Sequence, residues 1–439
     1  MQRELRRKFK NEKNLFKETY KIIYKYIPDL FNKFDKLTDK RNQSYTKYDM
    51  KTICAIRLLA LISGITTMSG ITDNFDTSKT AKNISKMLDI KINNIPHHDT
   101  INAIFKNINI DEINNIKNYI IKTLLRTKMF DKYKYNTAIY IAFDGSGISN
   151  HNYNLNNNCL YRKHRDGRIS YYKYVLEAKL IMGPLVFSLG TEFIENNTND
   201  GNITSENQKQ DCELKAFKRL AQKIKKEYPK QKFIVGGDAL YAVEPIINIC
   251  ETYNWYYIFN LKKDRLKNLY EEFEDNINYE NDTKKLNYYL SKNMIYKKHQ
   301  VNVFKYENIK IKKNKKSTTI FSYISNLPVT NSNIKKIVSI GRSRWKIENE
   351  GFYTQKHRTF NIGHLNSKDD NAMKIHYLFI QIAHIIRQLL EKGSLILKNT
   401  GIKIKEVSEF FLHHLTSTII PNHNNINLKF QLRFDDLII

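Results

Sequence analysis

The stretch Thr137-Ala138-Ile139-Tyr140-Ile141-Ala142-Phe143-Asp144-Gly145 decides the architecture of the chain. It is a near-continuous apolar run that stops at Asp-Gly. A run of this length without polar alternation predicts a strand covered on both faces, as inside an α/β sheet, and not a half-solvated antiparallel strand. Phe233-Ile234-Val235-Gly236-Gly237-Asp238 has the same form, again closed by an acid. Between the two, Tyr171 to Ser188 reads as antiparallel strands that follow the Asp166-Gly167 turn and reverse at Gly183-Pro184. Glu213 to Tyr228 reads as an amphipathic helix with Leu214, Phe217, Leu220, Ala221 and Ile224 on one side. Trp255 to Leu261 is a third buried strand. Strands, helix, strand, helix, strand in that order predict an α/β sheet.

On the N-terminal side the pattern is helical to about Phe130. In Met50 to Leu61, Ile53, Ile56, Leu59 and Ala60 repeat at the spacing of a buried stripe, while Asp99-Thr100 and Asp111-Glu112 open further helices. On the C-terminal side, Val301 to Tyr306, Ile309 to Lys313 and Thr318 to Ile324 alternate like strands, and helices return at Ser332, including Arg344 to Lys356 and Ala372 to Leu390. The expected division is therefore a helical N-terminal domain over 1–130, expected to bind DNA, and a sheet core over 131–262. A strand-rich insertion over 263–330, a second core part over 331–395 and a C-terminal tail over 396–439 complete it.

Asp144 and Asp238 each follow a buried strand, so adjacent parallel strands would carry both carboxylates to one sheet edge. A single Asp at such a place commonly caps a turn; the repeated context favours a pair. The third acid is sought in Arg344-Trp345-Lys346-Ile347-Glu348-Asn349-Glu350-Gly351-Phe352. If that segment is α-helical, Trp345 and Phe352 share one face and anchor it, and Arg344, Glu348 and Gln355 share a neighbouring stripe. Glu350 then points elsewhere, which selects Glu348. Three hard oxygen donors without a Cys or His cluster suit two Mg²⁺ or Mn²⁺ ions, with Asp144, Asp238 and Glu348 as ligands and catalytic residues for in-line attack on a phosphodiester.

These segments, YIAFDGSGIS, FIVGGDALYA and RSRWKIENEGFYTQK, resemble the catalytic motifs of the DDE transposases of bacterial insertion sequences, in the insertion sequence 4-like group. The resemblance also takes in TEFIEN at Thr191 to Asn196 and KQDCE at Lys209 to Glu213, and so spans about Thr137 to Leu390. It implies a ribonuclease H-like mixed sheet flanked by helices and interrupted by the insertion. It also implies cleavage of the ends of the chain's own mobile element and strand transfer into target DNA by a homodimer or larger assembly. The family's third motif places a Tyr, an Arg, the catalytic Glu and a Lys on one helix. Arg344 and Glu348 match, Gly341 stands at the Tyr position and Gln355 at the Lys position, and Lys356 is the neighbouring cation.

Composition agrees with a nucleic-acid partner. A formal charge of +29 on 439 residues attracts polyanions, although Lys, Asn and Ile are also the residues that A- and T-rich codons favour. Arg162, Lys163, Arg165 and Arg168 form a basic turn interleaved with tyrosines, suited to phosphate contact. Arg342, Arg344, Lys356 and Arg358 flank Glu348 and are expected to grip phosphates; Lys310, Lys312, Lys313, Lys315 and Lys316 form a further basic cluster. Glu192, Glu195, Asp211 and Glu213 are expected to cap, pair with cations or stand behind the metal ligands. Cys54, Cys159, Cys212 and Cys250 lie far apart and suggest neither zinc nor disulfides. No signal peptide and no membrane-spanning run is recognised, so a cytoplasmic, nucleoid-associated protein is expected. Two other readings fit the same residues: a transposase-derived DNA-binding protein without catalysis, and a host nuclease.

Overall fold

The computed structural model describes residues 14–156, 158–196, 211–279, 287–312, 315–422 and 428–435. The N-terminal helices are α1 (Leu15–Tyr26), α2 (Leu30–Asp35), α3 (Met50–Ile62), α4 (Ser69–Phe75), α5 (Ser78–Leu88), α6 (His98–Phe105) and α7 (Ile110–Arg126). Several begin at side-chain caps, among them Asp49, whose Oδ1 accepts from the Thr52 amide at 2.6 Å, and Thr77, whose Oγ1 accepts from the Thr80 amide at 3.1 Å. Helix α3 departs from the expected single stripe, because every residue in it except Lys51 is buried. A helix apolar all round belongs in the middle of a bundle.

The sheet strands are β1 (Ile139–His151), β2 (Leu160–Lys163), β3 (Ile169–Met182), β4 (Leu185–Ile194), β5 (Phe233–Gly237), β6 (Tyr256–Asn260), β7 (Tyr288–Tyr296), β8 (His299–Lys312) and β9 (Lys315–Ser325). They form one nine-stranded mixed sheet in the order β2-β3-β1-β5-β6-β9-β8-β7, with β4 also paired to β3. β1, β5 and β6 are parallel and the other pairings antiparallel. Helices α8 (Glu213–Glu227) and α9 (Glu244–Thr252) connect β4 to β5 and β5 to β6, as the buried runs predict. The α/β class and the all-helical N-terminal region thus agree with the sequence.

Two strand expectations change. β1 does not end at Asp144 but runs on through the small polar residues to His151, because that half pairs with β3 through Tyr171 to Tyr174 and bulges at Gly147/Ser149. The insertion, which begins with α10 (Lys267–Tyr279), does not stand apart. β9 pairs with β6, so β7, β8 and β9 extend the same sheet, and β8 is one strand where two were expected. Its polar Glu307 and Asn308 remain in register with Ile320 and Thr319 on β9.

After β9 come α11 (Ile334–Arg342), a π-helical segment (Ile347–Tyr353), α12 (Thr354–His357), α13 (Asp370–Gln388), α14 (Leu395–Thr400) and α15 (Val407–Ser417). Helix α13 is buried from Ala372 to Gln388 and packs on α3, α6 and α7 as well as on β4. The segment read as a tail folds back: α15 packs on α1 and α5, and His414 Nδ1 accepts from the Leu15 amide at 3.2 Å. Among the described residues, no helix is long and apolar enough to cross a membrane.

Candidate active site

Strand register places the first two acids. β1 and β5 run parallel with Ala142 opposite Gly236, and Asp144 and Asp238 each lie two residues further along. Side chains alternate along a strand, so both aspartates take the face of Tyr140, Ala142 and Ile234. That face is covered by Ile347 and Phe352 of the π-helical segment, which also carries Glu348. The fold thereby brings Asp144, Asp238 and the Glu348 segment to one side of one sheet edge. Gly236 allows this crossing, since a Cβ there would overlap the Tyr140 ring, 2.6 Å from its Cε2.

The Glu348 segment differs from the expected single α-helix. Helix α11 ends at Arg342, the chain turns through Ser343 and Arg344, and the segment that follows closes its hydrogen bonds over five residues. Seven positions therefore no longer return to one face. Phe352 is buried, whereas Trp345, expected to anchor beside it, is 46% exposed. Gln355, expected to share the Glu348 stripe, is fully buried, and its Oε1 accepts from Lys179 Nζ at 3.2 Å. Lys179 also donates to Gln381 Oε1 at 3.3 Å and lies over the Phe352 ring, so this buried cation fastens the segment to β3 and α13. Gly351 sits against it; an added Cβ would lie 3.4 Å from Lys179 Cδ. Glu350 faces Lys392, with 3.7 Å between charges, and not Glu348.

Arg344 forms an ion pair with Glu348, Nη1 to Oε1 at 2.7 Å; the Arg344 side chain is 17% exposed and that of Glu348 52%. Burial pushes the Asp144 carboxyl up to about 7. The Arg344 charge opposes this, and the charges of Glu348, Glu213 and Asp238 add to it. Burial lowers Lys356, and Asp144 pulls it back up, which puts Lys356 within the field of the same carboxylate. Asp144 thus lies within the fields of the other three carboxylates as well as those of Arg344 and Lys356. Their donors are all oxygen, the chemistry that a magnesium or manganese ion takes and a zinc ion does not prefer. Among the described residues, the one group of three His, Cys, Asp or Glu side chains whose ligand atoms lie within 4.8 Å of one another is instead His97, His98 and Asp99, two of them nitrogen donors. These are consecutive residues at the start of α6, where helix amides disfavour a cation, and His98 Nδ1 is already 2.9 Å from Thr72 Oγ1.

Sequence spacing did not distinguish Glu213 from its acidic neighbours. It opens α8 on the far face of the sheet, where its Oε1 accepts from Tyr174 at 3.0 Å and its Oε2 from Tyr241 at 2.8 Å. Its neighbours do other work. Glu192 and Asp211 bind Arg219, and Glu195 binds Lys173 and Lys374.

The other basic residues divide by position. Arg162, Lys163, Arg165 and Arg168 are exposed at the β2–β3 turn, where Gly167 takes φ +82°. Arg168 is already bonded to Asp166, Nε to Oδ2 at 2.7 Å, and is less free for phosphate than expected. Arg342 lies over the Phe321 ring at 4.8 Å and Arg358 over the Tyr353 ring at 5.6 Å, both exposed. Lys313 lies outside the described residues, as do the side chains of Lys310, Lys312, Lys315 and Lys316.

Comparison with known families gives two matches. Residues 31–119 match the family model described as DDE_Tnp_1-associated, and residues 207–386 match the model of the Transposase DDE domain. The second match contains Asp238 and Glu348 and begins after Asp144. No curated protein matches the chain.

Proposed function

The chain belongs to the DDE transposases, and from that membership we propose that it cuts the ends of its own insertion sequence, one of the insertion sequence 4-like group, and joins them to target DNA. The observation that supports this reading is the parallel register of β1 and β5, which leaves Asp144 and Asp238 each two residues past the Ala142–Gly236 pair at the sheet end that the Glu348 segment covers.

Asp144, Asp238 and Glu348 would hold two Mg²⁺ or Mn²⁺ ions, which supply Lewis acidity to the attacking and leaving oxygens of a phosphodiester. In the first step water attacks phosphorus and the bond to the 3′-oxygen breaks, leaving a 3′-hydroxyl and a 5′-phosphate. That hydroxyl then attacks a target phosphodiester, one bond forming for each broken. Exposed Arg342 and Arg358 and half-buried Lys356 flank the acids and would neutralise phosphates beside them; Arg162, Lys163 and Arg165 extend the basic surface beyond. Asp144 within β1 and Asp238 immediately past β5 stand on the rigid sheet, and the Lys179 network fixes the backbone of the Glu348 segment opposite, which limits the motion needed to assemble the site. Action on two element ends implies a homodimer or larger assembly on DNA.

The test is incubation of the purified protein with Mg²⁺ and labelled element ends. Strand-specific nicking that Asp144→Asn, Asp238→Asn and Glu348→Gln each abolish while leaving DNA binding intact is the expected result. Binding without nicking by the wild-type protein would overturn the catalytic reading, and nicking indifferent to end sequence would indicate a general nuclease.

A further inference from the structure

Glu348 is the candidate ligand that stands apart. Asp144 is held within β1 and Asp238, just past β5, accepts from the Leu240 amide at 2.9 Å, whereas the Glu348 side chain is half-exposed and its Oε1 already lies 2.7 Å from a guanidinium. The same guanidinium acts on Asp144 and on the Tyr140 hydroxyl, so Arg344 stands among the acids and not outside them. Tyr140 is 5% exposed and its hydroxyl, buried on the face of the two aspartates, has no hydrogen-bond partner. A buried hydroxyl left unpaired is costly, and its oxygen can accept from a charged donor brought to it. The charged donor whose field reaches this hydroxyl is Arg344, now committed to Glu348.

We propose that Arg344 is the resident counter-ion of the metal-free site: it holds Glu348 away from the aspartates, a divalent ion must take Glu348 from it, and the released guanidinium is received by the Tyr140 hydroxyl. Arg344 is therefore a positioning residue that weakens metal binding until the ion pair opens. This rests on the metal-site reading given above. Removing a residue that merely supports structure weakens a site; removing a competitor strengthens it, so the sign of the effect separates the two.

The experiment is titration of the full-length protein with Mn²⁺ alone, without DNA, read by loss of the free-ion electron paramagnetic resonance signal. Arg344→Gln is expected to bind Mn²⁺ about two- to five-fold more tightly than wild type, the upper part of the range that release of one partly exposed ion pair gives. In a Glu348→Gln background the same substitution is expected to have little effect, because no ion pair remains to be opened. Tyr140→Phe is expected to weaken Mn²⁺ binding, and Arg344→Lys, which keeps the charge and carries little folding risk, to stay near wild type. Unchanged or weaker binding in Arg344→Gln, or equal tightening with and without Glu348, would overturn the proposal. So would tightening in Arg344→Lys as large as in Arg344→Gln. Should Asp144→Asn bind Mn²⁺ as wild type does, the metal-site reading itself fails, whereas an Asp144-dependent site indifferent to Arg344 refutes only the counter-ion.

Discussion

The carboxylate of Glu213 lies directly against the α-carbon of Gly145, so that a methyl group there would come 2.6 Å from Glu213 Cδ and as close to the Tyr174 ring. The acid on one face of the sheet thus presses on the residue that follows Asp144 on the other. Gly145→Ala should destabilise the protein by about 1 to 3 kcal/mol, as overpacking does, and displace the Asp144 strand. Glu213→Ala should recover part of that loss in the double variant, because it vacates the space. Thermal unfolding of the two single variants and the double variant measures the coupling; strict additivity would mean that the contact is not the cause.

Without divalent ions, stability should fall as pH rises from about 4 to about 7. The folded protein keeps a proton on Asp144 up to about 7, while the unfolded chain releases it near the ordinary value of 3.8. Unfolding between those values releases a proton, so higher pH favours it, and above 7 the effect is complete. Asp144→Asn removes the dependence. In EDTA its stability relative to wild type should improve by on the order of 2 kcal/mol between pH 5 and pH 8, after allowance for solvent screening. Equal offsets at the two pH values would show that Asp144 titrates normally.

The exposed turn between β2 and β3 should matter to DNA and not to folding. Replacing Arg162, Lys163 and Arg165 together by Ser is expected to lower the slope of log affinity against log salt by about 2 to 3, with the melting temperature essentially unchanged. Arg168→Ser should change the slope less, since that side chain is bonded to Asp166. Filter binding across a salt series reads both; a slope unaltered by the triple substitution removes this turn from the DNA surface.

Trp345 and Phe352 should behave oppositely although the segment between them is short. Phe352→Ala empties a buried position beneath Lys179 and should cost about 3 kcal/mol of stability. Trp345→Ala should leave stability almost untouched and weaken DNA binding by about 1 to 3 kcal/mol if the exposed ring stacks on a base. A large stability loss in Trp345→Ala with no change in affinity would return the ring to a structural role.

What the sequence made legible follows from which interactions are local. The apolar strand stretches that lead into Asp144 and Asp238 could be read because a doubly covered strand must be apolar throughout, and the α8 helix because its stripe is regular. The π-helical turn could not, since one extra residue per turn leaves no compositional mark, and with it went the faces assigned to Trp345 and Gln355. Glu213 was hidden for another reason. Its role comes from Tyr174 and Tyr241, 39 and 28 residues away along the chain, and no local pattern separates it from Glu192, Glu195 or Asp211. The second half of β1 escaped notice because pairing with β3, and not its own composition, keeps it extended.

Helix α13 is interior to two groups of elements at once, the N-terminal helices and the sheet beside β4. A wall shared in this way makes the two halves poor candidates for separate inheritance. A chimera that joins the first 130 residues of one such protein to the remainder of a distant relative would bring together surfaces shaped by different histories. Productive exchanges should therefore cluster where the chain crosses no shared helix, and the N-terminal bundle and the catalytic sheet should diversify in step.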